Sequence, residues 1–97
     1  MEQTGLKMNV INEIIELARK YQMEKVILFG SRARGDYTRS SDIDLAVLGG
    51  DVVSFSIDVE ESVSTLLTFD IVNLSSDVAE GLLESIKEEG LVLYEKI

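Results

Sequence analysis

The stretch that decides the fold runs from Phe29 to Leu45 and reads FGSRARGDYTRSSDIDL. An apolar run, Val26-Ile27-Leu28-Phe29, leads straight into Gly30-Ser31. Asp42-Ile43-Asp44 then opens a second apolar run, Leu45-Ala46-Val47-Leu48. A strand that ends in Gly-Ser and turns into a short helical piece presents bare backbone N–H groups, and these suit phosphate. Two aspartates one residue apart on a strand point to the same face, because side chains alternate. Held about 4 Å apart, two carboxylates repel by roughly 1 kcal/mol in water and about 4 kcal/mol at an effective dielectric of about 20. A hard divalent cation removes that repulsion, and Mg2+ takes one or two carboxylates together with substrate phosphates. Phosphate cradle plus paired carboxylates is the inventory of a nucleotide-handling site.

Working outward, the pattern predicts a strand over Lys25 to Phe29, a helical turn over Ser31 to Gly35, a polar connection from Asp36 to Ser41, and a strand from Asp42 to Leu48 closed by Gly49-Gly50. Ser41 is expected to cap or orient the start of that second strand. Upstream, Ile11, Ile14, Ile15 and Ala18 recur at helical spacing and predict an amphipathic helix over Met8 to Tyr21. Met1 to Lys7 shows no pattern and is expected to be loosely ordered. Downstream, Phe55, Val59, Val63, Leu66 and Leu67 form the stripe of a helix over Val52 to Leu67. Thr68 to Leu74 reads as a third strand. Ser76-Asp77 reads as the N-cap of a helix carrying Val78, Ala79, Leu82, Leu83 and Ile86, stopped by Gly90 and followed by a strand over Leu91 to Tyr94. The expected order is α-β-α-β-α-β-α-β: one α+β domain over residues 1–97, a small mixed sheet packed with helices.

Geometry brings in a third acid. Gly30 ends its strand and Asp42 begins the next, so the two meet only if these strands run antiparallel. A full helix in the next crossover favours parallel pairing of the second and third strands. The start of the third strand then lies beside Asp42 and Asp44, and Asp70 is the residue found there. A lone acid among Phe69, Ile71 and Val72 calls for a partner or a metal. Asp58, the rival acid, falls on the solvent side of its helix.

Composition removes other chemistries. Ninety-seven residues suffice for one core, and the chain has no Cys and no His. Disulfides, thiolate or imidazole zinc sites, cysteine nucleophiles and histidine bases are excluded, so any metal must be held by oxygen. Ser31 has no triad-type base near it in sequence, and its turn is not a P-loop. No apolar stretch approaches membrane-spanning length, and a cytoplasmic location is expected. The net charge is −9 and the pI about 4.3, which argues against a long nucleic-acid ligand. The cations near the motif, Arg32, Arg34 and Arg39, suit a small anionic substrate, and the acidic body suits a basic protein partner.

The run Gly30-Ser31-Arg32-Ala33-Arg34-Gly35, followed by Ser41-Asp42-Ile43-Asp44-Leu45, resembles the GS…RG…SDIDL signature of the polymerase-beta-like nucleotidyltransferases. The nearest resemblance is to their minimal (MNT) group, often the antitoxin half of an MNT/HEPN pair, and it spans roughly Lys25 to Glu95. It implies the polymerase-beta-like fold and transfer of AMP from ATP to a hydroxyl. Asp42, Asp44 and Asp70 would be catalytic metal ligands for two Mg2+ ions. Gly30 and Ser31 would hold the triphosphate, with Arg32 and Arg34 offsetting charge on pyrophosphate. Larger relatives add a helical domain that presents the acceptor. The expected acceptor here is therefore another molecule, a tyrosine of a small helical HEPN-type toxin encoded nearby. Two rivals are a two-chain transferase acting on a small antibiotic-like molecule with a helical partner, and an antitoxin that blocks its partner by contact alone. The sequence leaves base preference open, and homo-oligomers are compatible with it.

Overall fold

The structure, a computed structural model, describes residues 2–97. The elements follow the expected order: α1 (Met8–Lys20), β1 (Lys25–Phe29), α2 (Ser31–Arg34), β2 (Ile43–Leu48), α3 (Val52–Ser62), β3 (Phe69–Asn73), α4 (Glu80–Glu89) and β4 (Leu91–Glu95), preceded by a 3-10 turn at Glu2–Thr4. The four strands form one sheet in the order β3-β2-β1-β4. β1 pairs antiparallel with β2, and β2 pairs parallel with β3, as the connection lengths require. β4 returns antiparallel to β1 and covers its other side, with a register shift between Val26 and Ile27.

Side-chain alternation divides the sheet into two faces. Val26 and Leu28 of β1, with Ile43, Leu45 and Val47 of β2, join Ile11, Ile14 and Ala18 of α1 and Phe55 and Val59 of α3 in the main core. Ile27 and Phe29, with Ala46, meet Ile86 of α4 on the opposite face. β1 is thus apolar from Val26 to Phe29 because both of its faces are covered. β2 is apolar on both faces except at Asp44, which falls on the α4 face with Ala46.

Three expectations about the elements are corrected. The residues before α1 are tied down where loose order was expected: Thr4 and Leu6 are buried, and Arg32 donates to the Thr4 carbonyl at 2.9 Å. Met1 lies outside the described residues. α3 stops at Ser62, short of Leu67. Val63 is extended at φ −72°, ψ 133°, and the Ser64 N–H leaves the helix to donate to the Glu13 carboxylate at 2.9 Å. Val63 is still buried, whereas Leu66 of the expected stripe is fully exposed. Ser76 does not cap α4: its hydroxyl donates to the Asn73 carbonyl at 2.7 Å in the turn after β3. α4 begins at Glu80 with Ala79 as an N-cap that makes no side-chain bond. No helix among the described residues is long and apolar enough to cross a membrane.

Candidate active site

The register places three acids along one end of the sheet. Phe29 of β1 lies opposite Asp44, and Asp44 lies beside Asp70 of the parallel strand β3. Equivalent positions on neighbouring strands share a face, so both carboxylates project on the α4 side. Asp42 sits just before β2, exposed, and the Thr68 hydroxyl donates to its Oδ1. Burial, and then the charges of Asp70 and Asp42, push the Asp44 carboxyl above the ordinary value of 3.8, while Arg34 opposes them. Asp44 is half-buried. Asp70 is exposed and stands on the edge strand, so desolvation is no burden on it, contrary to the sequence argument that brought it in.

Gly30 closes the site from β1. Its backbone, at φ 76° and ψ −158°, lies in a region that residues with a Cβ essentially avoid. A Cβ there would stand 2.2 Å from Asp44 Oδ2. Only glycine lets the backbone lie against that carboxylate. In α2 the N–H groups of Ala33 and Arg34 both donate to the Gly30 carbonyl at 3.1 Å. The N–H groups of Ser31 and Arg32, one turn ahead, have no carbonyl within α2 to receive them. Gly35 ends α2 in the left-handed conformation, φ 92°.

The two arginines expected at the site part company. Arg34 is exposed; it donates from Nε to Asp36 and from Nη1 to Glu89 at the end of α4, both at 3.2 Å. Its charge reaches Asp44. Arg32 does not join the group. It is buried, and its guanidinium donates to the carbonyls of Thr4, Ser41 and Arg39 at 2.9, 3.1 and 3.4 Å. Tyr37 stacks on it, 4.8 Å from ring centre to guanidinium carbon. Arg32 therefore ties the 3-10 turn to the segment that delivers Asp42. The Ser41 hydroxyl accepts from the Thr38 N–H at 2.8 Å and shapes the same segment, as expected. Asp58 is engaged elsewhere, by Tyr21, Lys20 and Ser62 between α1 and α3.

Sequence reasoning missed two residues here. Thr68 reads in the sequence only as the start of a strand, although the parallel register that yields Asp70 also sets Thr68 beside Asp42. Glu89 carries no sequence signal of its pairing with Arg34, 55 residues away. Among the described residues, no three acids are already gathered into a ready-made metal cage. The donor set nevertheless fits Mg2+: it is all oxygen, its central carboxylate is disfavoured by burial and like charge, and a glycine backbone leaves that carboxylate room.

A glycine turn with open backbone N–H groups beside adjoining carboxylates on a mixed sheet is an arrangement suited to a nucleotidyl-transferring enzyme. Comparison with known proteins agrees. The profile of the family described as "Polymerase beta, Nucleotidyltransferase" matches residues 12–97, and the chain belongs to that family. A relative from Methanocaldococcus jannaschii named "Putative protein adenylyltransferase MJ0604" is 37% identical over 89 residues, covering 80% of this chain and 87% of that protein. A crystal structure of a toxin–antitoxin with AMP-PNP superposes with a TM-score of 0.71 at 28% identity, over 89% of this chain and 73% of the other. A mutant of the toxin–antitoxin MntA-HpeT gives 0.69 at 26% identity, over the same shares, 89% and 73%.

Proposed function

We propose that this chain is a single nucleotidyltransferase domain that moves AMP from ATP to a hydroxyl of a partner protein. The partner we propose is a small helical HEPN-type toxin and the acceptor one of its tyrosines, with the chain acting as antitoxin in the cytoplasm. The observation that carries the reading is the contact of the Gly30 backbone with the Asp44 carboxylate, flanked by Asp42 and Asp70. Supporting it are a relative named as a protein adenylyltransferase and neighbours that are toxin–antitoxin pairs, one of them with AMP-PNP.

Asp42 and Asp44 would hold Mg2+ together with the triphosphate, and Asp70 would complete a second ion's ligands. Bound there, Mg2+ neutralises phosphate charge and helps deprotonate the attacking hydroxyl. The Ser31 and Arg32 N–H groups and the Ser31 hydroxyl receive phosphate oxygens. Arg34, released from Glu89, balances charge on the departing pyrophosphate. The acceptor oxygen attacks the α-phosphorus in line, its proton passes toward Asp70, and the bond to pyrophosphate breaks.

The test uses the purified chain, ATP labelled in the α-phosphate, Mg2+ and the protein encoded beside it. Mass spectrometry of the partner should show added AMP, lost with Asp42→Asn, Asp44→Asn or Asp70→Asn. Neutralisation of the partner that survives these changes and the removal of ATP would establish blocking by contact and refute transfer.

A further inference from the structure

A cavity of about 1040 Å3 opens at the same end of the sheet as the acids but on the other face, between the residues before α1 and the segment after α3. It adjoins the site through the chain. Arg39 on its wall is three residues before Asp42, and Leu67 immediately precedes Thr68, the hydrogen-bond donor to Asp42.

Its chemistry differs from the rest of the surface. The chain has 18 acids against 9 basic residues, yet no described residue lining this cavity is acidic. Of the basic side chains among the described residues, only those of Lys7, Arg39 and Lys87 make no ion pair or hydrogen bond, and the first two line this cavity. The wall between these cations is apolar: Leu6, Val10 and Leu67, with Leu66 at the rim, 104% exposed and outside either core. The buried Arg32 also lines the cavity and joins its walls through hydrogen bonds to the carbonyls of Thr4, Ser41 and Arg39.

Resting on the transfer reading above, we infer that this cavity docks a segment of the AMP-accepting protein that pairs carboxylates with an apolar side chain. Two unpaired cations on an acidic body attract an acidic segment to this one place and repel it elsewhere. An apolar anchor would cover Leu66. The volume exceeds that of a single side chain, and no described lining residue is aromatic, so a nucleotide base has no ring to stack on. The Gly30–Asp44 contact faces the α4 side, so peptide and nucleotide occupy opposite faces of one sheet end.

The probe is a fluorescein-labelled peptide of alternating Glu-Glu and Leu-Tyr pairs, measured by anisotropy and by amide shifts of the labelled protein. The peptide should bind the full chain and shift Leu6, Lys7, Leu66 and Leu67. Binding should weaken at least about tenfold in K7E/R39E, with the milder K7Q/R39Q as the variant to use if charge reversal unfolds the chain. It should persist in D44N and in the presence of AMP-PNP. No binding by the wild type, or equal binding by either double variant, overturns the docking site. Displacement by AMP-PNP assigns the cavity to the nucleotide and overturns it too. Concentration-dependent shifts of the same amides without peptide assign it to a second copy, with the same consequence. Should the peptide bind as expected while no AMP reaches any acceptor, the transfer reading fails and the docking site stands.

Discussion

Replacing Gly30 with alanine tests the heart of the site. At φ 76° and ψ −158°, a residue with a Cβ incurs about 1–3 kcal/mol of backbone strain. The new methyl would lie 2.2 Å from Asp44 Oδ2, and ordinary contact begins at 3.4 Å, so the carboxylate must retreat by 1.2 Å. A misplacement of about 1 Å is enough to reduce a positioned reaction about 100-fold. Gly30→Ala should therefore lose more than the about 1–3 kcal/mol of strain alone, at least about 4 °C of melting temperature in a domain this size, and about two orders of magnitude in AMP transfer. Gly35→Ala is the control: it too has a positive φ, 92°, but nothing lies within 4 Å of the new methyl. It should lower stability by about 1–2 kcal/mol and leave the transfer rate of the folded protein unchanged. Urea denaturation and single-turnover transfer provide the measurements. A double-mutant cycle isolates the contact, since in an Asp44→Ala background only the backbone strain of Gly30→Ala should remain. An equal loss in both backgrounds, with transfer intact in Gly30→Ala, would refute the idea that this backbone positions Asp44.

Other outcomes follow from the same geometry. Asp44→Asn should abolish transfer yet raise the melting temperature at pH 7. Burial, Asp70 and Asp42 hold its carboxyl above 3.8, so the folded chain keeps a proton that the unfolded chain has lost, and stability falls as pH rises through that window. The Asn variant should lack this falling limb in melting curves taken against pH. Asp70→Asn, on the exposed edge strand, should lose transfer with little change in melting. Arg32→Lys should cost about 2–5 kcal/mol, because the single nitrogen of an ammonium cannot reproduce the planar fork whose Nε, Nη1 and Nη2 reach three separate carbonyls. Below its melting temperature it should keep the wild-type KM for ATP, as its side chain does not reach the phosphates. Asp58→Asn should destabilise at neutral pH without touching transfer. Ser62, Tyr21 and Lys20 hold the Asp58 carboxyl down at about 2, against an ordinary 3.8, so its contribution is present above 3.8 and fades as pH falls toward 2. Thermal melts at stepped pH would show the gap to wild type narrowing at the acid end.

What the sequence made legible was whatever a backbone period or a connection length dictates. The apolar runs gave the strands, Gly30 and Gly35 marked the turns, and a short link followed by a helical crossover fixed antiparallel then parallel pairing. Those pairings alone bring Asp70 to Asp44. Long-range side-chain commitments stayed hidden. Nothing local distinguishes Arg32 from Arg34, yet one is buried under the 3-10 turn and the other is exposed and paired with Asp36 and Glu89. The difference arises from Thr4 and Tyr37, which tertiary packing brings to Arg32. Leu66 misled for a related reason: its spacing continues the α3 stripe, but the Glu13 carboxylate takes the Ser64 N–H and ends the helix first.

The core and the site are therefore one problem in register. Ile43, Leu45 and Val47 are fully buried against α1 and α3, so Asp44 between them has only the opposite face available. A slip of one residue would drive Asp44 into that core and put three large apolar side chains at the sheet end. Burying an unpaired carboxylate is costly enough that the slipped state cannot compete. The burden that remains, a half-buried Asp44 beside two like charges and a glycine in a conformation barred to other residues, is carried by the buried apolar residues Ile43, Leu45 and Val47 of β2. Weakening that packing, for instance with Leu45→Ala, should loosen the acids before it unfolds the chain: transfer should fall at temperatures where circular dichroism still reports the native helices. Loss of both signals together would show instead that site and core melt as one.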